Sequence, residues 1–336
     1  MVKKMFVVLF SIVALLTLTA CADDVDEIED KVDEIDIVDE ADDVEEEIVE
    51  VKPHHLEEVD EPLDGLEVHF IDTGHREDIL IRSAEATILM STSISDMPFD
   101  IESPIPYLES QLVDEIDLVI SSSGLPEHHT YLPDTIERFP IKELWIPPYE
   151  ESYQAKGKDD ILRAFQKHDI SPYTPLAGES STIGDIHLEV LHSTGDVVDQ
   201  LVIKVTYGDM SYLITGVGWV DWNAVEKELL ASDIDLRSTV LKTSSSSNSN
   251  SPKFVHTVDP KVAINISGEN YKHPIPELID MIDAFGIDEY GTLGHGTIII
   301  STDGESYHIE TETEPTSVDP YHRPDSYEPR SLKNDK

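Results

Sequence analysis

From about residue 63 to residue 311 the chain alternates short apolar runs with turn-forming residues. The spacing of the apolar positions switches between two and three or four. Leu66 to Ile71, Asp78 to Arg82 and Thr87 to Ser91 read as strands joined by short polar turns, an opening β-meander. The spacing predicts a helix over Ile105 to Val113, a buried strand over Leu118 to Ser121, a helix from Pro133 to Arg138, a strand over Glu143 to Ile146 and a helix over Lys158 to His168. Ile186 to Leu191, Leu201 to Tyr207 and Ser211 to Thr215 follow as strands, with Gly208-Asp209 as the hairpin turn between the last two. Ala224 to Ala231, Val240 to Lys242, Val262 to Ile266, Ile275 to Phe285, Thr297 to Thr302 and Ser306 to Thr311 complete an alternating β/α series. Two β-rich halves with helices outside them predict an α/β four-layer sandwich over residues 63–311. From Glu312 onward, Pro315, Pro320, Pro324 and Pro329 among polar residues read as a disordered tail, 312–336.

The first 21 residues follow a different rule. Lys3 and Lys4 precede an apolar run from Met5 to Leu18, too short for a confident membrane span. Leu18-Thr19-Ala20-Cys21 then resembles the lipobox of bacterial lipoproteins, in which the cysteine is lipidated and the preceding peptide removed. Cys21 is the only cysteine, so no internal disulfide can form, and lipidation would leave no free thiol outside the cell. The expectation is a protein tethered by lipid on Cys21 to a bacterial cell membrane, facing out of the cytoplasm. An ordinary signal peptide or an uncleaved anchor is the alternative.

Between Ala22 and Pro62 stand 21 acidic residues and two lysines. Such a segment cannot build a core and reads as a self-repelling, disordered spacer, or as a docking helix for a basic partner, since its few apolar residues recur every three or four positions. The whole chain carries 23 Lys+Arg against 70 Asp+Glu, a formal charge of −47. That excess argues against a broad surface for nucleic acid or anionic lipid headgroups. It also fits an adaptation to saline or alkaline surroundings.

The run Phe70-Ile71-Asp72-Thr73-Gly74-His75-Arg76-Glu77-Asp78-Ile79-Leu80-Ile81 resembles the opening of the hydrolase domain of the bacterial competence protein ComEC, within the metallo-β-lactamase superfamily. Further matches follow in order: Leu132-Pro133-Asp134, Leu201 to Tyr207, Leu213-Ile214-Thr215-Gly216, Val240-Leu241-Lys242, His273-Pro274 and Gly296-Thr297-Ile298. The resemblance covers about 250 residues and implies an αββα sandwich of the metallo-β-lactamase type.

It also implies where metal ligands would stand, and there the sequence departs from the family. Counting back from Leu132 puts Ser123, Leu125, Glu127 and His128 at the positions of the H-x-H-x-D-H motif. The bridging aspartate of a Thr-Gly-Asp motif is replaced by Val217, and the two histidines of G-H-H-G-S fall in a serine-rich loop, at Ser245 and Ser246. Ser123, Leu125, Val217, Ser245 and Ser246 are thus expected as lost ligand positions. Glu127, His128 and His273 remain as a candidate His₂Glu remnant for zinc or manganese. His129 and His295 could substitute as ligands, but as lone loop histidines they are expected to face solvent. The serine-rich loop lacks any nucleophile elbow and reads as flexible, while Trp219 and Trp222 read either as a ligand platform or as packing for the following helix.

Three functions stay open on this reading. The first is a catalytically degenerate surface lipoprotein that serves as a binding or scaffolding module, with no catalytic residue and no cofactor, for an unknown protein or small ligand. The second is a residual mononuclear hydrolase. The third is an acidic spacer that acts by itself, with the domain as its support.

Overall fold

The computed structural model describes residues 56–74, 76–92, 103–123, 126–147, 158–193, 200–216, 222–244, 250–268, 276–316 and 319–321, with the backbone alone at 92, 126, 127, 158, 276 and 277. All of them lie in one compact unit, Lys52–Lys336. The expected lipidation site Cys21 lies outside the described residues.

The strands run in chain order as β1 (Glu57–Glu58), β2 (Leu66–Ile71), β3 (Glu77–Arg82), β4 (Thr87–Thr92), β5 (Ile116–Ile120), β6 (Ile141–Trp145), β7 (Ser180–Ile183), β8 (Ile186–His192), β9 (Val202–Tyr207), β10 (Met210–Ile214), β11 (Val240–Lys242), β12 (Val262–Asn265), β13 (Asp288–Gly291), β14 (Ile298–Thr302) and β15 (Ser306–Thr311). They form two sheets. The first has the order β1-β15-β14-β2-β3-β4-β5-β6 and the second β13-β12-β11-β10-β9-β8-β7. The helices are α1 (Ile105–Ser110), α2 (Leu132–Arg138), α3 (Lys158–His168), α4 (Trp222–Ala231), α5 (Pro252–Val258), α6 (Pro276–Ala284) and α7 (Thr292–His295).

Alternation of side chains along each strand decides how these parts stack. Val68 and Phe70 of β2, Ile79 and Ile81 of β3, and Leu188 and Val190 of β8 share one buried cluster with Ile203 and Val205 of β9 and Tyr212 of β10. This is the layer between the sheets. The opposite faces of the same strands are apolar too: Leu80, Leu89 and Val119 pack with Leu108 of α1, Leu132 and Ile136 of α2 and Ala164 of α3. Val202, Leu213 and Leu241 pack with Trp222 of α4, Phe254 of α5 and Ile282 of α6. Three apolar layers between four layers of secondary structure are the αββα sandwich that the sequence predicts.

Most elements lie within two residues of their predicted bounds. The first helix does not: it ends at Ser110 rather than Val113, because Leu112 turns left-handed at φ 56° with its side chain in solvent. Polar β7 and β13 and the short α5 and α7 are additions to the sequence reading. In α5, Ser251 caps the helix by accepting from the Phe254 N–H, and Pro252 occupies the first turn, where its missing N–H costs nothing. Two segments expected to be disordered also make contacts. Glu57 and Glu58 pair with Ser306 and Tyr307 of β15, and Tyr321 is buried against Gly291.

One end of the sandwich is clamped by glycine. In the β9-β10 hairpin Gly208 has φ +58°, and a Cβ there would stand 2.7 Å from the Cα of Gly304, in the β14-β15 turn of the other sheet. At the other end, the parallel pairs of β4, β5 and β6 and of β10 to β13 direct their C-termini toward one cleft. Ligand sites in α/β proteins favour such strand ends.

Candidate functional site

At the C-terminal ends of the central strands the apolar alternation gives way to polar residues that are nevertheless buried: Ser121, Ser122 and Ser123 after β5, Thr215 after β10, Lys242 and Thr243 at β11 and Ser267 after β12. Burial in this position requires hydrogen bonds, and the pattern of those bonds defines the cleft.

Its floor is an ion pair that joins the sheets. Lys242 Nζ of β11 donates to Glu77 Oε2 of β3 at 2.5 Å and to the Thr215 carbonyl at 3.3 Å. Thr215 Oγ1 returns a bond to the Lys242 carbonyl at 2.8 Å. The side chains of Lys242 and Glu77 are 0% and 8% exposed. Burial pushes the Lys242 ammonium down and the Glu77 carboxyl up, and their mutual attraction opposes both changes.

A second buried pair lies beside it on the first sheet. Arg76 grips Asp78 with two nitrogens, Nε to Oδ2 at 3.0 Å and Nη2 to Oδ1 at 3.1 Å, and donates to Ser91 Oγ at 3.0 Å. Ser91 donates to Asp78, and Thr73 Oγ1 donates to it at 2.6 Å. The guanidinium also stands 4.8 Å from the ring centre of Tyr131. Each carboxylate is thereby held by a cation of the chain itself.

The histidines expected near the metal position lie on a short 3₁₀ turn, Pro126–His129. His128 Nδ1 and Ser123 Oγ share a hydrogen bond of 2.7 Å, and His129 Nε2 donates to the Ser123 carbonyl at 2.6 Å. Both rings are buried. Burial, with His129 as a second cause for His128, pushes each down to about 4, so both imidazoles are neutral near pH 7. Ser123 therefore orients two histidines where the family resemblance implies a first metal ligand.

Gln200 completes the wall. Its backbone bridges Ser123, and Leu201 N–H donates to the Ser122 carbonyl at 2.9 Å. Its amide is buried without a hydrogen-bond partner at either end among the described residues and lies over Gly216, where a Cβ would come within 3.1 Å of Oε1. The loops after β2 and β12 also touch, since a Cβ on Gly268 would stand 2.7 Å from the Gly74 carbonyl carbon.

Among the described residues the donor set does not fit a two-metal centre. Among the described residues no three His, Cys, Asp or Glu side chains gather in a way that could hold a metal ion. The cleft carboxylates Glu77 and Asp78 are taken by Lys242 and Arg76. Of the remnant set, His128 is buried and bonded to Ser123, whereas His273 and the side chain of Glu127 lie outside the described residues, as do Leu125, Val217, Ser245, Ser246 and Trp219. Trp222 serves as packing: it is fully buried at the start of α4, edge-on to Phe254 at 5.4 Å, and Nε1 donates to Glu226 at 3.0 Å. His295 is drawn into a separate cavity. The sequence reading missed both ion pairs and Gln200. Their one visible signal was charge at the ends of otherwise apolar strands, as in Glu77-Asp78-Ile79-Leu80-Ile81 and Val240-Leu241-Lys242.

No protein-family model matches the sequence, and no characterised protein matches it by sequence. Among solved structures, CmlA of Streptomyces venezuelae, described as a diiron β-hydroxylase, aligns over 72% of this chain and 55% of its own, at 13% identity and a TM-score of 0.47. This chain thus spans little more than half the length of CmlA. YhfI of Bacillus subtilis, described as a metallo-β-lactamase fold protein, aligns over 68% of this chain and 96% of its own, at 13% identity and a TM-score of 0.45. The Rm3 metallo-β-lactamase aligns over 52% and 76%, at 12% identity and a TM-score of 0.34. The layer architecture described above rests on strand order and side-chain alternation in this chain.

Proposed function

We propose that the chain is an extracytoplasmic lipoprotein, anchored through Cys21, whose metallo-β-lactamase-like domain binds a partner or ligand without catalysing a reaction. The Ser123 contacts carry this reading, since a serine stands where the resemblance implies a first histidine ligand and holds both His128 and His129. A metal-dependent hydrolase needs carboxylates and imidazoles free to ligate and a metal-activated water. Here an ammonium sits on a cleft carboxylate, a guanidinium on its neighbour, and two neutral histidines are tied to one serine. What such a cleft offers a ligand is hydrogen bonding from neutral groups and little net charge. Nucleic acid is a poor candidate on account of the chain's overall charge.

The competing reading, a mononuclear hydrolase through Glu127, His128 and His273 with zinc or manganese, is favoured by one feature: a neutral imidazole such as His128 is the protonation state that a metal binds. Steady-state assays of the purified chain on phosphodiester and carboxylester substrates with added Zn²⁺ or Mn²⁺ separate the two. The binding-module reading expects rates unchanged by His128→Ala, whereas a metal-dependent rate lost in that variant overturns it. Labelling with a fatty acid tests the anchor, with incorporation expected in the native chain and absent from Cys21→Ser.

A further inference from the structure

Beside the edge strand β13, α7 and the segment ending at Tyr321 enclose a cavity of about 450 Å³ that shares no residue with the cleft described above. Its lining joins aromatic rings to carboxylates, and no lysine or arginine is among its described lining residues. The His295 ring lies between Tyr290, at 5.1 Å and 54°, and Tyr321, at 5.5 Å and 56°. Asp288 and Glu314 stand in the same wall.

Three features specify what would enter. Rings of this kind present negative faces, to which an ammonium group is attracted. Next, the residue His295 is 7% exposed, and among the described residues its ring bonds only through Nδ1, which faces the Gly291 carbonyl at 3.1 Å and the Gly291 N–H at 3.2 Å. With Nδ1 donating to the carbonyl, Nε2 remains as an acceptor without a protein partner among the described residues. Burial keeps the imidazole neutral and so able to accept. Finally, Asp288 and Glu314 present exposed carboxylates at the cavity, and Lys261 already acts on Asp288 against the upward push of burial, so a bound cation would add to that attraction. An inorganic divalent ion is a poor match, because among the described residues no three ligating side chains converge. The volume lies in the range of small-molecule sites.

We infer that this cavity is a binding site for a linear alkyl polyamine. One ammonium would be enclosed by Tyr290, His295 and Tyr321, donating an N–H to His295 Nε2. Asp288 and Glu314 would take the further charge. The inference is independent of the function proposed for the cleft.

The test is calorimetric titration of the full chain with spermidine in about 0.15 M NaCl, where attraction to exposed acidic segments is screened beyond roughly 8 Å. One saturable site is expected. Asp288→Asn and Glu314→Gln should each weaken it at least about fivefold and Tyr290→Leu about tenfold, while Tyr290→Phe, which keeps the ring, binds as the native chain does. Glu143→Gln, an exposed carboxylate on β6, should leave it unchanged. Weak, unsaturable uptake, or equal affinity in the native chain, Asp288→Asn and Glu314→Gln, overturns the inference and assigns the polyamine to the acidic segment 22–62.

Discussion

Removing Lys242 should do more damage than removing Lys242 and Glu77 together. The two groups lie 165 positions apart in sequence and join the sheets at the cleft floor, with side chains 0% and 8% exposed. Lys242→Met leaves a buried carboxylate without its cation, a change that typically costs about 3–5 kcal/mol. Glu77→Leu leaves the ammonium in the same position and should cost a similar amount. In the double variant both desolvation costs disappear. What remains includes the loss of the Lys242 bond to the Thr215 carbonyl and some repacking, about 1–3 kcal/mol. The cycle should therefore show a coupling of at least about 3 kcal/mol.

Urea unfolding at pH 7 measures this, and its pH dependence adds a check of sign. In Lys242→Met the folded-state pKa of Glu77 rises above its unfolded value, so the folded chain holds the extra proton and the deficit shrinks as pH falls. In Glu77→Leu the folded-state pKa of Lys242 is depressed, so that deficit shrinks as pH rises. Added salt should change little, because the pair is out of reach of screening ions. Additive single effects, or a coupling erased by salt, would refute the assignment of the pair as the buried electrostatic floor of the cleft.

Other substitutions probe particular contacts. Gly291→Ala is conformationally tolerable at φ −150°, but its Cβ would stand 2.0 Å from Tyr321 Cζ. Limited proteolysis should then cut near Tyr321 at a faster rate, and unfolding should come about 1–3 kcal/mol earlier; unchanged cleavage would remove Tyr321 from this position. Gly208→Ala meets both a left-handed backbone and the Gly304 main chain, and should cost more than about 1 kcal/mol in a denaturant melt. Trp222→Phe keeps most of the packing on Phe254 but strips Glu226 of its indole donor, for a loss of about 1–3 kcal/mol by the same measurement.

The layers were legible because each strand carries its own address. Leu66, Val68 and Phe70 repeat at period two, and the run Ile79-Leu80-Ile81 is apolar on both sides because it is covered on both sides, by the facing sheet and by the helices. Ser180–Ile183 and Asp288–Gly291 were not legible, since as edge strands they need no apolar face of their own to be held by the neighbouring ladder. The start of α5 merged with a serine-rich run, although Ser251-Pro252 is a capping signal that composition obscured. The cleft was legible only by its position. That Ser123 would orient His128 and His129, or that Lys242 would find Glu77 rather than solvent, depends on the crossing of two sheets. No local pattern encodes that crossing.

With a serine at an expected ligand position and the chain's own cations on the cleft carboxylates, the domain should hold no tight metal site. Metal content of the purified full chain, with titration of Zn²⁺ and Mn²⁺ into the native protein and into a His128→Ala, His273→Ala double variant, measures this. Substoichiometric metal and weak uptake that the double variant shares are expected. Tight, one-to-one binding abolished by the two substitutions would show a metal site and remove the ground for a non-catalytic domain.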